Sequence, residues 1–289
     1  MLYVDILNKY KNEAEVAVKS LFKKAKINQD HENDLLLIFV HGFYEKRNVG
    51  TGYSPYLVGP GNEGWTNQSQ YDFFDQFRNS YLQESKKAHI TELKENLNNW
   101  EIQYQIITQL EMLVYLKFWE SDYVLKQLYN LCHQLLHGRS YDWHKNMKKS
   151  GRKDLIENQI INSCKNRAPK FYRYIKSTYN RQIRNAVAHS QFYLIGDRIG
   201  FTNYDPNDDH ILKGISIEEW EDIFHRTIQL YNYLIGVGKE HHDVYKKEAT
   251  KRHFGKKIRI NREDGSLQYE WLVYLDEQDR WTWYKNVRG

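Results

Sequence analysis

The chain has 289 residues, of which 40% are hydrophobic and 27% charged. That mixture excludes a disordered chain and leaves room for one large or two modest globular units. Lys and Arg number 42 against 37 Asp and Glu, a net charge of +5 that is too mild to point to nucleic acid by itself.

Aromatic residues are abundant, with 23 Tyr and 8 Trp beside 4 Pro, and the scarcity of Pro favours helices over a turn-rich β fold. Cys132 and Cys164 are too few for a disulfide framework and suit a reducing cytoplasm, the expected location. The charged start of the chain does not read as a signal peptide. No run approaches the roughly 18 apolar residues of a membrane helix, so no membrane association is expected.

In chain order, residues 1–26 space Val4, Leu7, Ala14, Val18, Leu21 and Phe22 as one face of an amphipathic helix. A more apolar segment, 35–46, follows. Residues 49–65 hold Gly50, Gly52, Pro55, Gly59, Pro60, Gly61 and Gly64, a loop that reads as functional or as a plain surface excursion. Helical pattern resumes over 71–97. In 101–137 it is strongest, with Ile102, Ile106, Leu110, Leu113, Leu116 and Phe118 as the expected inner face and Ser121-Asp122 as the cap of a second helix that stops near Gly138. A basic polar connector is expected over 141–153. Further helices are expected over 155–164 and, after Pro169, over 170–189.

The last third changes character. Residues 192–203 alternate around Gly196-Asp197 as a β-hairpin, and Ser216 with Glu218 and Glu219 opens a capped packing helix. Beyond Gly238 the chain turns basic. Residues 258–284 alternate around Asp264-Gly265 and Gln278-Asp279 as a small antiparallel meander whose Tyr269, Trp271, Tyr274, Trp281, Trp283 and Tyr284 read as exposed. The expected class is mainly α: a helical bundle with a short hairpin and a small C-terminal β meander. Its expected regions are 1–97, a helical domain 98–238, and a basic segment with the meander, 239–289.

Chemistry concentrates in Arg184-Asn185-Ala186-Val187-Ala188-His189. On an ideal helix Asn185 and His189 share a face, about 40° apart, while Arg184 lies about 140° from His189 unless a final turn at Ser190 brings them around one phosphate. A cation for phosphate, an amide to orient and an imidazole that titrates near neutrality are the parts for cutting RNA without metal. Arg139 and His144 share the spacing but lack the context of a helix end before a hairpin and a capped helix. His133 and His137 have the i, i+4 spacing of metal ligands but no third ligand, and read rather as buried polar helix positions. No metal or other cofactor is expected. Basic stretches supply Arg173, Lys176 and Arg181 near the motif and Lys251, Arg252, Lys256 and Lys257 in the tail; with interleaved aromatics these are candidate RNA contacts, or simply solvated faces.

The Arg-Asn-x3-His pattern, with the hairpin and helix after it, resembles the HEPN superfamily over about 170–236, and more loosely from residue 101 onward. One subgroup carries a Tyr two positions after the His, where this chain has Gln191. The resemblance implies a prokaryotic toxin or anti-phage effector that cleaves RNA without metal, with Arg184, Asn185 and His189 as the catalytic set. It further implies a homodimer with a composite site, and an antitoxin or other defence-system partner. The alternative it leaves is a non-catalytic module of the same type that binds RNA or protein.

Overall fold

The structure, a computed structural model, describes residues 3–46, 54–59, 66, 68–76, 100–147, 151–251 and 255–284. It is mainly helical, with small antiparallel sheets. Helix α1 (Tyr3–Asn28) buries Ala14, Ala17, Val18, Leu21, Phe22 and Ala25, an amphipathic face at helical spacing. That face packs on α4 (Asp122–Leu135), α5 (Pro169–Thr178) and α7 (Ile217–Lys251). The N-terminal helix therefore belongs to the bundle rather than forming a region of its own. The side chains of Val4, Leu7 and Ile102 lie outside the described residues.

Short helix α2 (Asp34–Phe39) is buried, and β1 (Phe43–Tyr44) pairs with β2 (Tyr56–Leu57). The Gly/Pro-rich stretch thus contributes a strand: Tyr56 is buried, and its carbonyl accepts from Trp283 Nε1 at 3.0 Å. Of that stretch, residues 49–53 and 60–65 lie outside the described residues. The expected helix over 71–97 is seen as a helical stretch over 68–76; 77–97 also falls outside.

Helix α3 (Trp100–Glu120) keeps Phe118 and Leu116 of the expected inner face against the core and corrects the rest. Ile106, Leu110 and Leu113 are each more than half exposed, as is Ile107, while Met112, Tyr115, Phe118 and Trp119 are buried. The aromatic half of the helix wins the core because it removes more apolar area from water per residue. Ser121 caps α4, accepting from Val124 N at 3.3 Å. The expected polar connector after α4 is in part core: Tyr141 and Trp143 are buried, and the Tyr141 hydroxyl donates to Gly42 O at 2.5 Å. Lys148 and Lys149 lie outside the described residues.

Asp154–Ile161 is a π-helical segment, followed by a 3₁₀ turn at Asn162–Cys164. The single helix expected over 170–189 is two. Helix α5 stops at Thr178, Tyr179 and Asn180 are extended, and α6 (Arg181–Ala188) restarts because the Asn180 side chain accepts from Ile183 N at 3.0 Å.

The hairpin forms as expected from β3 (Phe192–Ile195) and β4 (Arg198–Phe201), turning at Gly196 with φ 54°. A third strand, β5 (Gly214–Ser216), pairs with β4 and leads into α7. Ser216 and Glu219 close a reciprocal capping box at 3.1 and 2.7 Å. Helix α7 then runs straight through the expected boundary at 238/239, with His241 stacked on Phe22 at 5.5 Å and His242 accepting from Trp281 Nε1 at 2.6 Å. The meander is β6 (Lys256–Asn261), β7 (Leu267–Leu275) and β8 (Arg280–Trp283) in that order. Of its aromatics, Tyr269 and Trp271 are exposed, whereas Trp281 and Trp283 turn inward and join the core. Among the described residues no helix is long and apolar enough to cross a membrane.

Glu111 on α3 accepts from Trp220 Nε1 at 2.9 Å, and burial pushes its carboxyl up to about 7 from 4.5. A carboxyl raised on folding binds more protons folded than unfolded between pH 4.5 and 7, so stability falls as pH rises through that window. Glu111→Gln should remove this slope and leave the variant about 1–3 kcal/mol more stable than wild type at pH 8, with no gain at pH 4, measured by urea unfolding across pH.

Candidate active site

The site is built on α6 and the last two turns of α3. Gln182, Ile183, Ala186 and Val187 form the buried face of α6, and Arg184 and Asn185 lie half-buried beside it. Buried Gln182 ties the helix to the segment before β5, donating to Leu212 O at 2.7 Å and accepting from Leu212 N at 2.9 Å.

Arg184 points at the end of α3. Its Nη2 forms an ion pair with Glu120, and Nη1 donates to Asn185 Oδ1 at 2.7 Å. Nε is buried without an acceptor among the described residues. Arg152 reaches the same carboxylate from the other side, with Nε 3.3 Å from Glu120 Oε2, while its Nη2 donates to Asp122 Oδ1 at 2.6 Å and Glu120 O at 3.1 Å. One carboxylate thus holds two guanidinium groups.

The turn before Glu120 grips the break between α5 and α6. Tyr115 accepts the Asn180 N–H at 3.1 Å, and the Trp119 ring meets Tyr179 edge-on at 4.9 Å. Burial pushes the Tyr179 phenol up to about 12, with the Arg184 guanidinium pulling it back. Its hydroxyl has no hydrogen-bond partner among the described residues. Tyr179 and Asn180 line a cleft of about 430 Å³ with Lys176, Arg181 and Glu157.

His189 is the C-cap of α6. Its backbone N–H bonds Asn185 O at 3.0 Å, and its ring is exposed, with no hydrogen bond among the described residues. The chain leaves the helix by a Schellman turn: Gln191 N bonds Ala186 O at 2.8 Å, Ser190 N bonds Val187 O at 3.3 Å, and Ser190 takes φ 53°. The structure therefore joins Arg184 to Asn185 and presents His189 separately, one turn further along.

The other expected contacts divide. Arg173 and Lys176 are exposed on α5, while Arg181 pairs with Asp208 at 3.2 Å. Lys251 is exposed at the end of α7, and Lys257 lies over the Tyr269 ring at 4.5 Å. Lys256 is buried and paired with Glu248, which withdraws it from any strand outside; Arg252 lies outside the described residues. His144 of the second Arg-x4-His pair packs on Tyr44 at 4.5 Å and faces Asn261 O at 3.2 Å, a structural position. His133 stacks on Tyr129 and His137 meets Arg167, so the i, i+4 pair does not converge. Among the described residues no three His, Cys, Asp or Glu gather as a metal-binding group.

Sequence reasoning did not place Glu120, Arg152 or Tyr179 at the site: Arg152 reads there as part of the basic connector and Tyr179 as an inward apolar position. A signal for Glu120 existed: a carboxylate at a helix C-terminus opposes the macrodipole, so it calls for a cationic partner. No protein-family model, curated protein or solved structure matches the chain.

Glu120→Ala leaves two guanidiniums without their shared acceptor and should cost about 1–3 kcal/mol in urea unfolding, with Glu120→Gln losing less. Equal stability of all three proteins would show that the junction contributes nothing.

Proposed function

We propose that the protein is a HEPN-type endoribonuclease, acting without metal through Arg184, Asn185 and His189, in the manner of a toxin or anti-phage effector. The observation that carries this reading is the division of labour on α6: a guanidinium oriented by Glu120 and Asn185, and an imidazole left free and exposed at the helix end. The RNA 2′-oxygen attacks the adjacent phosphorus, and the P–O5′ bond breaks. A 2′,3′-cyclic phosphate and a 5′-hydroxyl result. Imidazole takes the 2′-OH proton or gives one to the leaving 5′-oxygen. Arg184, oriented by Glu120 and Asn185, offsets charge on the phosphorane oxygens.

A single His189 per chain supplies either the acid or the base, which favours a homodimer that brings two motifs together. The exposed Ile106, Ile107, Leu110 and Leu113 stripe on α3 supports such a pairing. Leu110→Glu should then shift the protein from dimer to monomer in sedimentation; an unchanged mass would remove this face from the account.

One observation favours a second reading, a non-catalytic binding module: Arg184 is only 17% exposed and its charge is already matched by Glu120. The two separate on activity. In EDTA, His189→Ala and Arg184→Ala should each lower RNA cleavage by at least about 100-fold, within the range for losing a general acid–base or a charge-stabilising donor. Exposed Arg139→Ala should cleave as wild type. Cleavage by His189→Ala at the wild-type rate would overturn the assignment.

A further inference from the structure

A groove of about 580 Å³ opens between α1, α5 and α7, on the flank of α5 away from the Tyr179 cleft. Lys170, Arg173 and Arg226 line it with a single carboxylate, Glu13, over an apolar wall formed by Val16 and Tyr174. Arg226 is held in place: its Nη1 donates to Glu13 at 2.7 Å, its guanidinium lies over the Tyr10 ring at 4.2 Å, and its carbonyl accepts from the Tyr174 hydroxyl at 3.0 Å. Lys170 and Arg173 are exposed, and neither has an acidic partner among the described residues. Helix α5 itself, PKFYRYIKST, carries no carboxylate.

Lys170, Arg173 and Lys176 follow one another at three-residue steps, so they wind around the exposed side of α5 from the groove toward the cleft that Lys176 and Tyr179 line. A cationic groove thus lies on one flank of a short helix and a cleft of balanced charge, Lys176 and Arg181 against Glu157 and Asp209, on the other, and a row of cations links them. Lys170 and Lys176 lie about 9 Å apart along the axis of α5 and on different sides of it, so a dinucleotide reaches one recess and a longer strand reaches both.

We propose that the groove between α1, α5 and α7 is a phosphate-binding subsite for single-stranded RNA, which enters it by crossing α5 from the cleft beside Tyr179. This rests on the ribonuclease reading above. The groove offers what an unpaired strand needs: cations for successive phosphates, and in Val16 and the edge of Tyr174 an apolar wall for the sugar.

The test is binding, read by fluorescence anisotropy with 2′-O-methyl RNA of two, four, six and eight nucleotides, which has no 2′-OH to react. Full-length wild type should bind six- and eight-mers at least about ten-fold tighter than dimers. The exposed double variant Lys170→Glu/Arg173→Glu, with Lys170→Ala/Arg173→Ala as its milder partner, should lose that gain. Its log affinity against log salt should flatten by about 1.4, from roughly 0.7 per lost phosphate contact. Circular dichroism should show both variants folded, and exposed Arg139→Ala should bind as wild type. Wild-type affinity and salt slope in both double variants would overturn the subsite, as would a polyglutamate peptide that competes as strongly as the eight-mer. His189-dependent cleavage is measured separately on unmodified RNA. Its loss with the binding pattern intact would sink the nuclease reading alone; its presence with unchanged binding would sink the subsite alone.

Discussion

The end of α3 is where the molecule's electrostatics and packing meet. Glu120 places a negative charge at the negative end of a helix dipole, and two arginines answer it: Arg152, ahead of the π-helical segment, and Arg184 on α6. Tyr115 and Trp119, four residues apart on the same helix face, hold Asn180 and Tyr179 at the break between α5 and α6. Together these three side chains set where α6 starts and where Arg184 points. Because Asn185 lies on the same turn and His189 one turn later, the geometry of the proposed site follows from this clamp.

The clamp also explains why α5 and α6 are separate. A continuous helix through 179–180 would use the Asn180 N–H internally. Here that N–H goes to the Tyr115 hydroxyl, and the Asn180 side chain caps the new helix instead. The interruption creates the cleft that Tyr179 lines, and it leaves α5 as a short cationic helix with a recess on either flank. A cap, a buried tyrosine and an ion pair thus shape the same surface on which the proposed substrate would lie.

Local signals were legible in the sequence. The Ser121 cap, the Ser216/Glu219 box, the turn at Gly196 and the pairing around Asp264-Gly265 each depend on a few neighbouring residues, and each forms. What could not be read needed partners distant in sequence. Alternation alone does not tell which face of a strand meets the core, so Trp281 and Trp283 read as exposed until α7 and Trp143 were seen to cover them. The apolar spacing of Ile106, Leu110 and Leu113 is genuine, yet Tyr115 and Trp119 take the interior beside the expected Phe118. At the candidate site, the sequence shows Arg184, Asn185 and His189 but not that a carboxylate 64 positions upstream orients the first of them.

The central claim is that the exposed imidazole at the end of α6 and the clamped guanidinium within it direct a 2′-hydroxyl onto its own phosphate. The most direct measurement is the identity of the ends the protein leaves on RNA, read by mass spectrometry of products made by the wild type in excess chelator. The account predicts 2′,3′-cyclic phosphate and 5′-hydroxyl ends, with no product from an RNA carrying a single 2′-deoxy at the scissile position. Products with 5′-phosphate and 3′-hydroxyl ends, or cleavage at the 2′-deoxy position, would contradict it.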